Sequence, residues 1–133
     1  MTDIFVGRLM SSPVETVAAD TPVQEAATRM LEHDIGSLVV VDSDNALEGI
    51  LTTTDFVQIT ADETAAESAV ADYMTTDVVT ATANDSITAV AGTIVDNGFH
   101  HLPVVDDEAG VIGMVTTTDL TAYLSHAERP PLA

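Results

Sequence analysis

Gly49-Ile50-Leu51-Thr52-Thr53-Thr54-Asp55 returns as Gly113-Met114-Val115-Thr116-Thr117-Thr118-Asp119, each residue 64 positions after its counterpart. Outward from these stretches the register holds without a gap. Met10, Val14, Thr16, Leu38, Val40, Val41 and Asp42 reappear as Met74, Val78, Thr80, Leu102, Val104, Val105 and Asp106. A constant offset over that span identifies two copies of one supersecondary unit.

Each copy reads strand, helix, strand, strand, helix. Thr21, with Pro22 next and Gln24 three residues on, reads as a capping box ahead of Val23, Ala26, Ala27, Met30 and Leu31 at helical spacing. The matching helix of the second copy is expected to start at Asp85, to turn Ile87, Val90, Ala91, Ile94 and Val95 inward, and to end at Gly98. Residues 37–41 and 102–105 are β-branched runs too short for helices, and third strands are expected over 47–51 and 111–115. These runs are almost continuously apolar, the pattern of strands covered on both faces. A second helix follows each Thr-x-x-Asp. Residues 61–71 contain neither Pro nor Gly and read as an extension of the first copy's last helix. The resulting boundaries are 1–64, 65–125 and a frayed tail at 126–133 containing Pro130-Pro131. Met10, Met30, Met74 and Met114 fall on apolar faces and are expected to pack in the core.

Composition narrows the function. The 133 residues carry a formal charge of −19, with Arg8, Arg29 and Arg129 as the only basic residues besides four histidines. Such a surface repels duplex DNA and anionic lipid, which both require clustered cations, so neither nucleic acid nor membrane is an expected partner. Cysteine is absent, which excludes disulfides, thiolate catalysis and Cys-based metal centres. A hydrophobic content of 46% in periodic runs argues for a folded domain rather than acidic disorder. The charge suits molar salt, where the Debye length shrinks to about 3 Å, and the composition resembles that of proteins from extreme halophiles. The first residues lack a basic leader, and no later stretch has the length of a membrane span, so a cytoplasmic location is expected.

The Gly-hydrophobic-hydrophobic-Thr-x-x-Asp motif, the Leu102-Pro103-Val104-Val105-Asp106 strand and the opening Met10-Ser11 and Met74-Thr75 pairs together resemble the CBS domain. The resemblance covers roughly Val6 to Tyr123. It implies an α+β fold of two CBS domains, β-α-β-β-α each, paired sheet to sheet about a pseudo-two-fold axis (a Bateman module). Related modules hold AMP, ADP, ATP, S-adenosylmethionine or other adenosyl compounds in two clefts between the repeats, and some hold nothing. Many assemble as disc-like homodimers.

The motif residues suit an adenosyl ligand on chemical grounds. With Thr52 as N-cap, Asp55 occupies the third helical position, where unpaired N–H groups and the helix dipole favour an anion. Amides and threonine hydroxyls can donate to phosphate, while a carboxylate accepts from the two ribose hydroxyls. The same Thr-x-x-Asp is also a plain helix cap, and that reading stands beside the ligand reading.

Carried over from the family, cleft one combines Thr52 and Asp55 with Thr80, Phe99, His100 and His101. Cleft two combines Thr116 and Asp119 with Thr16, Ile35, Gly36 and Ser37. Relatives commonly clamp phosphate with basic residues, whereas no arginine of this chain matches those positions, and the two imidazoles are either phosphate contacts or surface histidines. A zinc pair is disfavoured, because adjacent strand residues point to opposite faces. No catalytic residues and no metal site are expected. The resemblance implies an adenosyl-ligand sensor that works with Mg where a triphosphate is bound, forms a homodimer, and signals to an enzyme or transporter in trans. The alternative is a ligandless interaction module.

Overall fold

The computed structural model describes residues 4–63 and 67–127. Strand β1 (Thr16–Val17), helix α1 (Val23–His33), strands β2 (Ser37–Val41) and β3 (Leu47–Thr52) and helix α2 (Thr53–Ala61) form the first copy. Helix α3 (Ile87–Asn97), strands β4 (His101–Asp106) and β5 (Gly110–Thr116) and helix α4 (Thr117–Ala127) form the second. Short 3-10 turns at Val6–Arg8 and Val70–Asp72 precede the copies. The fold is mixed α+β, with a three-stranded sheet β1-β2-β3 and a two-stranded sheet β4-β5 among the described residues.

The copies differ in their first strand. In the first copy Thr16 and Val17 run parallel to Val39 and Val40. In the second only the bridge Ala81↔Val104 remains, the counterpart of Val17↔Val40. Side chains of α1 account for the difference. Arg29 Nη1 donates to the Thr16 carbonyl at 3.1 Å, and His33 Nε2 lies 3.0 Å from a Glu15 carboxylate oxygen, so α1 clamps β1 from its C-terminal half. The corresponding residues of the second copy, Thr93, Asn97 and Val79, include no arginine, histidine or carboxylate to form such a clamp.

Two compact units result, and neither is continuous in the chain. One gathers Val14–Val78 with Ala109–Val111; the other gathers the segment up to Pro13, Val79–Glu108 and the segment from Ile112 onward. The first unit buries Val17, Val23, Ala26, Met30, Leu38, Val40, Leu51 and Val70. The second buries Ala81, Ile87, Val90, Ile94, Leu102, Val104, Val115 and Val6 at the matching positions. Val6 is thus the counterpart of Val70: the lead-in to each copy packs in the unit formed by the other copy. Each such side chain contributes about 1.5–3 kcal/mol through burial. Backbone bonds repeat the exchange. Val70 N–H donates to Thr21 O at 2.8 Å and Val6 N–H to Asp85 O at 2.9 Å, while Thr75 bridges Ile50 and Ser11 bridges Met114. Residues 109–111 join the first unit through Asn45, whose side-chain amide donates to the carbonyls of Ala109 and Val111, both at 2.9 Å.

The glycine that opens each motif makes this closure possible. A Cβ on Gly49 would stand 2.8 Å from both the Met74 sulfur and the Thr75 carbonyl oxygen, and one on Gly113 would meet Met10 and Ser11 in the same way. Met30 and Met114 are buried, while Met10 and Met74 pack partly buried against the two cores.

Several local expectations are corrected. The Thr21 capping box does not form: Pro22 is the N-cap of α1, in extended conformation, and Thr21 spends its backbone on Val70 and Ala18. Helix α3 begins beyond Asp85, at Ile87, because Ser86 caps it by accepting from Ala89 N–H at 3.1 Å. The Asp85 carboxylate turns back instead to the Thr82 N–H and hydroxyl at 2.9 and 3.1 Å. Helix α2 does not continue through residues 61–71. It stops at Ala61, Asp62 is extended and accepts a 2.7 Å bond from the Tyr73 hydroxyl, and Ser68–Ala71 bond back to Ala19–Val23; residues 64–66 lie outside the described residues. Leu31 and Val95 do not face inward but are 84% and 78% exposed. Each follows the last buried position of its helix, Met30 or Ile94, and one residue is a 100° turn away from the core. Gly98 does end α3, at φ 69°. Helix α4 takes in residues 126 and 127 of the expected tail, and residues 128–133 lie outside the described residues. Among the described residues, no helix is long and apolar enough to cross a membrane.

Candidate functional site

The hairpin register sets the geometry. Ser37 pairs with Thr52 in the antiparallel β2–β3 ladder, so the start of β2 lies against the end of β3 and the first turn of α2. The Gly36 carbonyl accepts from the Thr53 N–H at 3.1 Å, and the His100 carbonyl accepts from the Thr117 N–H at 3.1 Å. One of the unpaired amides at each helix start is thereby taken by the entry to a strand of the same copy.

Each acid then caps its helix. Thr52 is the extended N-cap of α2 and Asp55 its third helical residue; Asp55 Oδ2 accepts from the Thr52 N–H at 2.8 Å and from its hydroxyl at 3.3 Å. In the second copy Asp119 Oδ2 accepts from the Thr116 N–H at 2.9 Å, and Thr116 Oγ1 accepts from the Asp119 N–H at 3.1 Å. Both carboxylates are half-buried. Among the described residues these bonds fall on Oδ2, and none reaches Oδ1 of either acid. The cap therefore engages one oxygen of each carboxylate and leaves the second able to accept from another donor.

The surroundings of the two turns differ. Beside Thr52 and Asp55 stand half-buried Ile35, Gly36 without a side chain, and Ser37, buried at 8% exposure. At the second turn the exposed His100, whose carbonyl meets the Thr117 N–H, is flanked in the chain by half-buried Phe99 and half-buried His101. Burial holds the His101 imidazole below the ordinary histidine value, and the neighbouring His100 lowers it further. Thr16 lies on β1 in the unit of Thr52, and Thr80 precedes the Ala81 bridge in the unit of Thr116. Within each copy, the backbone brings residue 36 to 53 and residue 100 to 117. The two consecutive apolar runs separated by a short Asp/Asn turn were the signal for that neighbourhood. Sequence reasoning missed the carbonyls of Gly36 and His100 altogether, since a backbone acceptor leaves no mark in residue identity. No group of three or more potential metal ligands occurs among the described residues.

The CBS domain model matches the chain twice, over residues 6–62 and 70–126. The chain belongs to the CBS-domain family. Among its CBS relatives is an uncharacterized 17.7 kDa protein of Acidianus ambivalens, 36% identical over 119 residues that cover 90% of this chain and 72% of that protein. Another is a homoserine O-acetyltransferase of Methanocorpusculum labreanum, 32% identical over 121 residues, or 91% of this chain but 24% of the enzyme. The crystal structure of the CBS domain pair of protein MJ0100, in complex with 5′-methylthioadenosine and S-adenosyl-L-methionine, matches with a TM-score of 0.88 at 28% identity and covers 95% of this chain and 99% of that one. The match to the acetyltransferase is confined to about a quarter of that protein, so most of the enzyme lies outside the CBS portion. The chain resembles the CBS portion that such a relative carries apart from most of its enzyme.

Proposed function

We propose that the chain is a sensor of adenosyl compounds in which each Thr–Asp turn holds the ribose of a ligand. The observation that carries this reading is the divided use of Asp55 and Asp119: one oxygen caps the helix, the other is available to ribose hydroxyls. Thr52, Asp55, Gly36 and Ser37 make up one half-site; Thr116, Asp119, Phe99, His100 and His101 make up the other. Thr16 and Thr80 on the first strands are further contacts. The 5′-methylthioadenosine and S-adenosyl-L-methionine held by the MJ0100 pair support the class. Because the half-sites contain no arginine or lysine, triphosphates require Mg or molar salt to enter.

Ligand contact stiffens the first turns of α2 and α4, and that change is the signal to a partner in trans. A homodimer through the helical faces, in a protein adapted to high salt, is part of the same reading, and Leu31, Val57, Val95 and Leu124 are exposed on those helices. Thermal denaturation with AMP, ATP, 5′-methylthioadenosine and S-adenosylmethionine in about 2 M KCl, where charges are screened, tests the reading. A ligand at ~100 times its Kd adds about 2.7 kcal/mol and raises the Tm. No shift with any of the four supports a ligandless interaction module instead.

A further inference from the structure

We propose that Met10 and Met74 form a duplicated oxidation site: a peroxide converts each thioether to a sulfoxide, the side chain leaves the glycine it covers, and the strand running into the Thr–Asp turn loosens. Sulfur chemistry in this chain belongs to methionine alone, since cysteine is absent. Among the described residues, Met30 and Met114 are 6% exposed, whereas Met10 and Met74 are half-buried and so open in part to a small solute. The half-buried pair are counterparts, 64 positions apart, and each lies in the lead-in to a copy. Accessible sulfur therefore occurs at one position of the repeated unit, twice.

Each of these sulfurs covers the glycine that opens a motif. A Cβ on Gly49 would stand 2.8 Å from the Met74 sulfur and 2.9 Å from its Cγ; one on Gly113 would press on the Met10 sulfur and stand 2.9 Å from its Cγ. No further atom fits between sulfur and backbone. The methionine backbones are held in place: Met74 N–H donates to Val70 O and Met10 N–H to Val6 O, both at 2.9 Å, and the residues that follow exchange bonds with the strands, Thr75 with Ile50 at 2.9 and 3.0 Å and Ser11 with Met114 at 2.8 and 3.0 Å. The side chain is the part left to move. In the reaction a sulfur lone pair takes one oxygen of hydrogen peroxide, the O–O bond breaks, and the other oxygen leaves as hydroxide, which a proton from solvent converts to water; sulfur loses two electrons and the peroxide gains them. The product is larger and polar. Its oxygen needs a donor, which water supplies and the apolar cores beside Met10 and Met74 do not, so the side chain turns outward. Gly49 and Gly113 are then uncovered, and the Ile50–Thr75 and Met114–Ser11 bridges lose the packing beside them. Ile50 and Met114 stand two residues before Thr52 and Thr116, so the disturbance reaches the start of each turn.

Hydrogen peroxide applied to the full chain, followed by peptide mapping, locates the added oxygen. Met10 and Met74 are expected to convert about tenfold faster than Met30 and Met114, whose sulfurs react when the structure opens locally. Amide exchange reads the consequence: oxidation of Met74 accelerates Ile50 and Thr75, and oxidation of Met10 accelerates Ser11 and Met114, each by about tenfold. Met74→Leu, a volume-conserving change, protects Ile50 and Thr75 and leaves Ser11 and Met114 sensitive; Met10→Leu does the reverse. The change on adding peroxide is read against each chain's own untreated exchange, so a leucine that weakens the fold does not mimic protection, and the wild-type arms need no variant. Conversion of Met30 and Met114 as fast as the half-buried pair overturns the proposal, as do unchanged exchange at all four bridge amides after Met10 and Met74 are oxidised and acceleration of Ile50 and Thr75 in Met74→Leu. The effect on ligand rests on the adenosyl reading above: 5′-methylthioadenosine is expected to bind about fivefold more weakly after oxidation of the wild-type chain and equally well before and after in the chain with both leucines. No binding before oxidation overturns the adenosyl reading and leaves the oxidation site standing; binding that oxidation leaves unchanged overturns the link from strand to turn.

Discussion

Replacing Asp55 by alanine separates the two tasks that its carboxylate performs. Oδ2 satisfies the Thr52 N–H at 2.8 Å, and its loss removes a capping interaction and a favourable charge at the start of α2. Those terms together cost about 1 kcal/mol, since caps contribute ~0.5–2 and dipole effects ~0.3–1. In a domain of this size that corresponds to a Tm lower by about 4 °C. Oδ1, in the proposed function, accepts from ribose. A hydrogen bond to a charged group is worth about 1.5–3 kcal/mol, and 1.4 kcal/mol is a tenfold change in Kd, so the first half-site weakens by roughly ten- to hundredfold. Urea denaturation without ligand reads the first quantity; calorimetry with 5′-methylthioadenosine in about 2 M KCl, with charges screened, reads the second. The variant is expected to lose about 1 kcal/mol of stability and one of two binding events. A stability loss of that size with unchanged affinity and stoichiometry would refute the ribose role and reduce Asp55 to a helix cap.

Three further outcomes are expected. Gly49→Ala forces a methyl group against the Thr75 carbonyl, which cannot retreat without breaking the Ile50–Thr75 bridge; an overpacking cost of about 1–3 kcal/mol is expected in urea denaturation, and a wild-type midpoint would contradict the packing argument. Arg29→Ala removes the donor to Thr16 O and should leave β1 as frayed as its counterpart, so that amide exchange at Val17 and Val39 accelerates while the α3 amides are unaffected; unchanged exchange at Val39 would show that the clamp does not hold the strand. Without metal and at moderate salt, AMP is expected to bind more tightly than ATP, because additional phosphates enter a protein of charge −19 with no arginine beside either turn; direct titration showing tighter metal-free ATP would contradict the charge argument.

The duplication made most of the interior readable. Once Leu38 was aligned with Leu102 and Leu51 with Val115, the two cores followed as one list of apolar positions, and the Thr-x-x-Asp turn carried its own cap in its residue types. The lead-in segments are another matter. Val6 and Val70 look alike in sequence, but no local periodicity shows that each packs with the opposite copy. The clue lay at Gly49 and Gly113, where a missing side chain leaves room for a methionine distant in the chain. Thr21 misled for a related reason: its residue type suits a cap, yet its backbone is committed to Val70, and such a tertiary bond leaves no local trace. Leu31 and Val95 follow the apolar pattern of their helices but sit one step past the buried stripe, so composition alone could not tell an inward residue from an outward one.

The divided carboxylates change how the motif should be weighed. If capping and ligand contact used the same oxygen, retention of Thr-x-x-Asp would argue for one role against the other. Here a helix start needs the acid whether or not a ligand ever arrives, so Asp55 and Asp119 persist under selection for stability alone and by themselves say little about binding. The informative positions are 36–37 and 100–101, which the fold places against the same helix turns through a backbone carbonyl and therefore leaves free to vary in side chain. That one copy carries glycine and serine there and the other two histidines is not demanded by the hairpin, which forms in both.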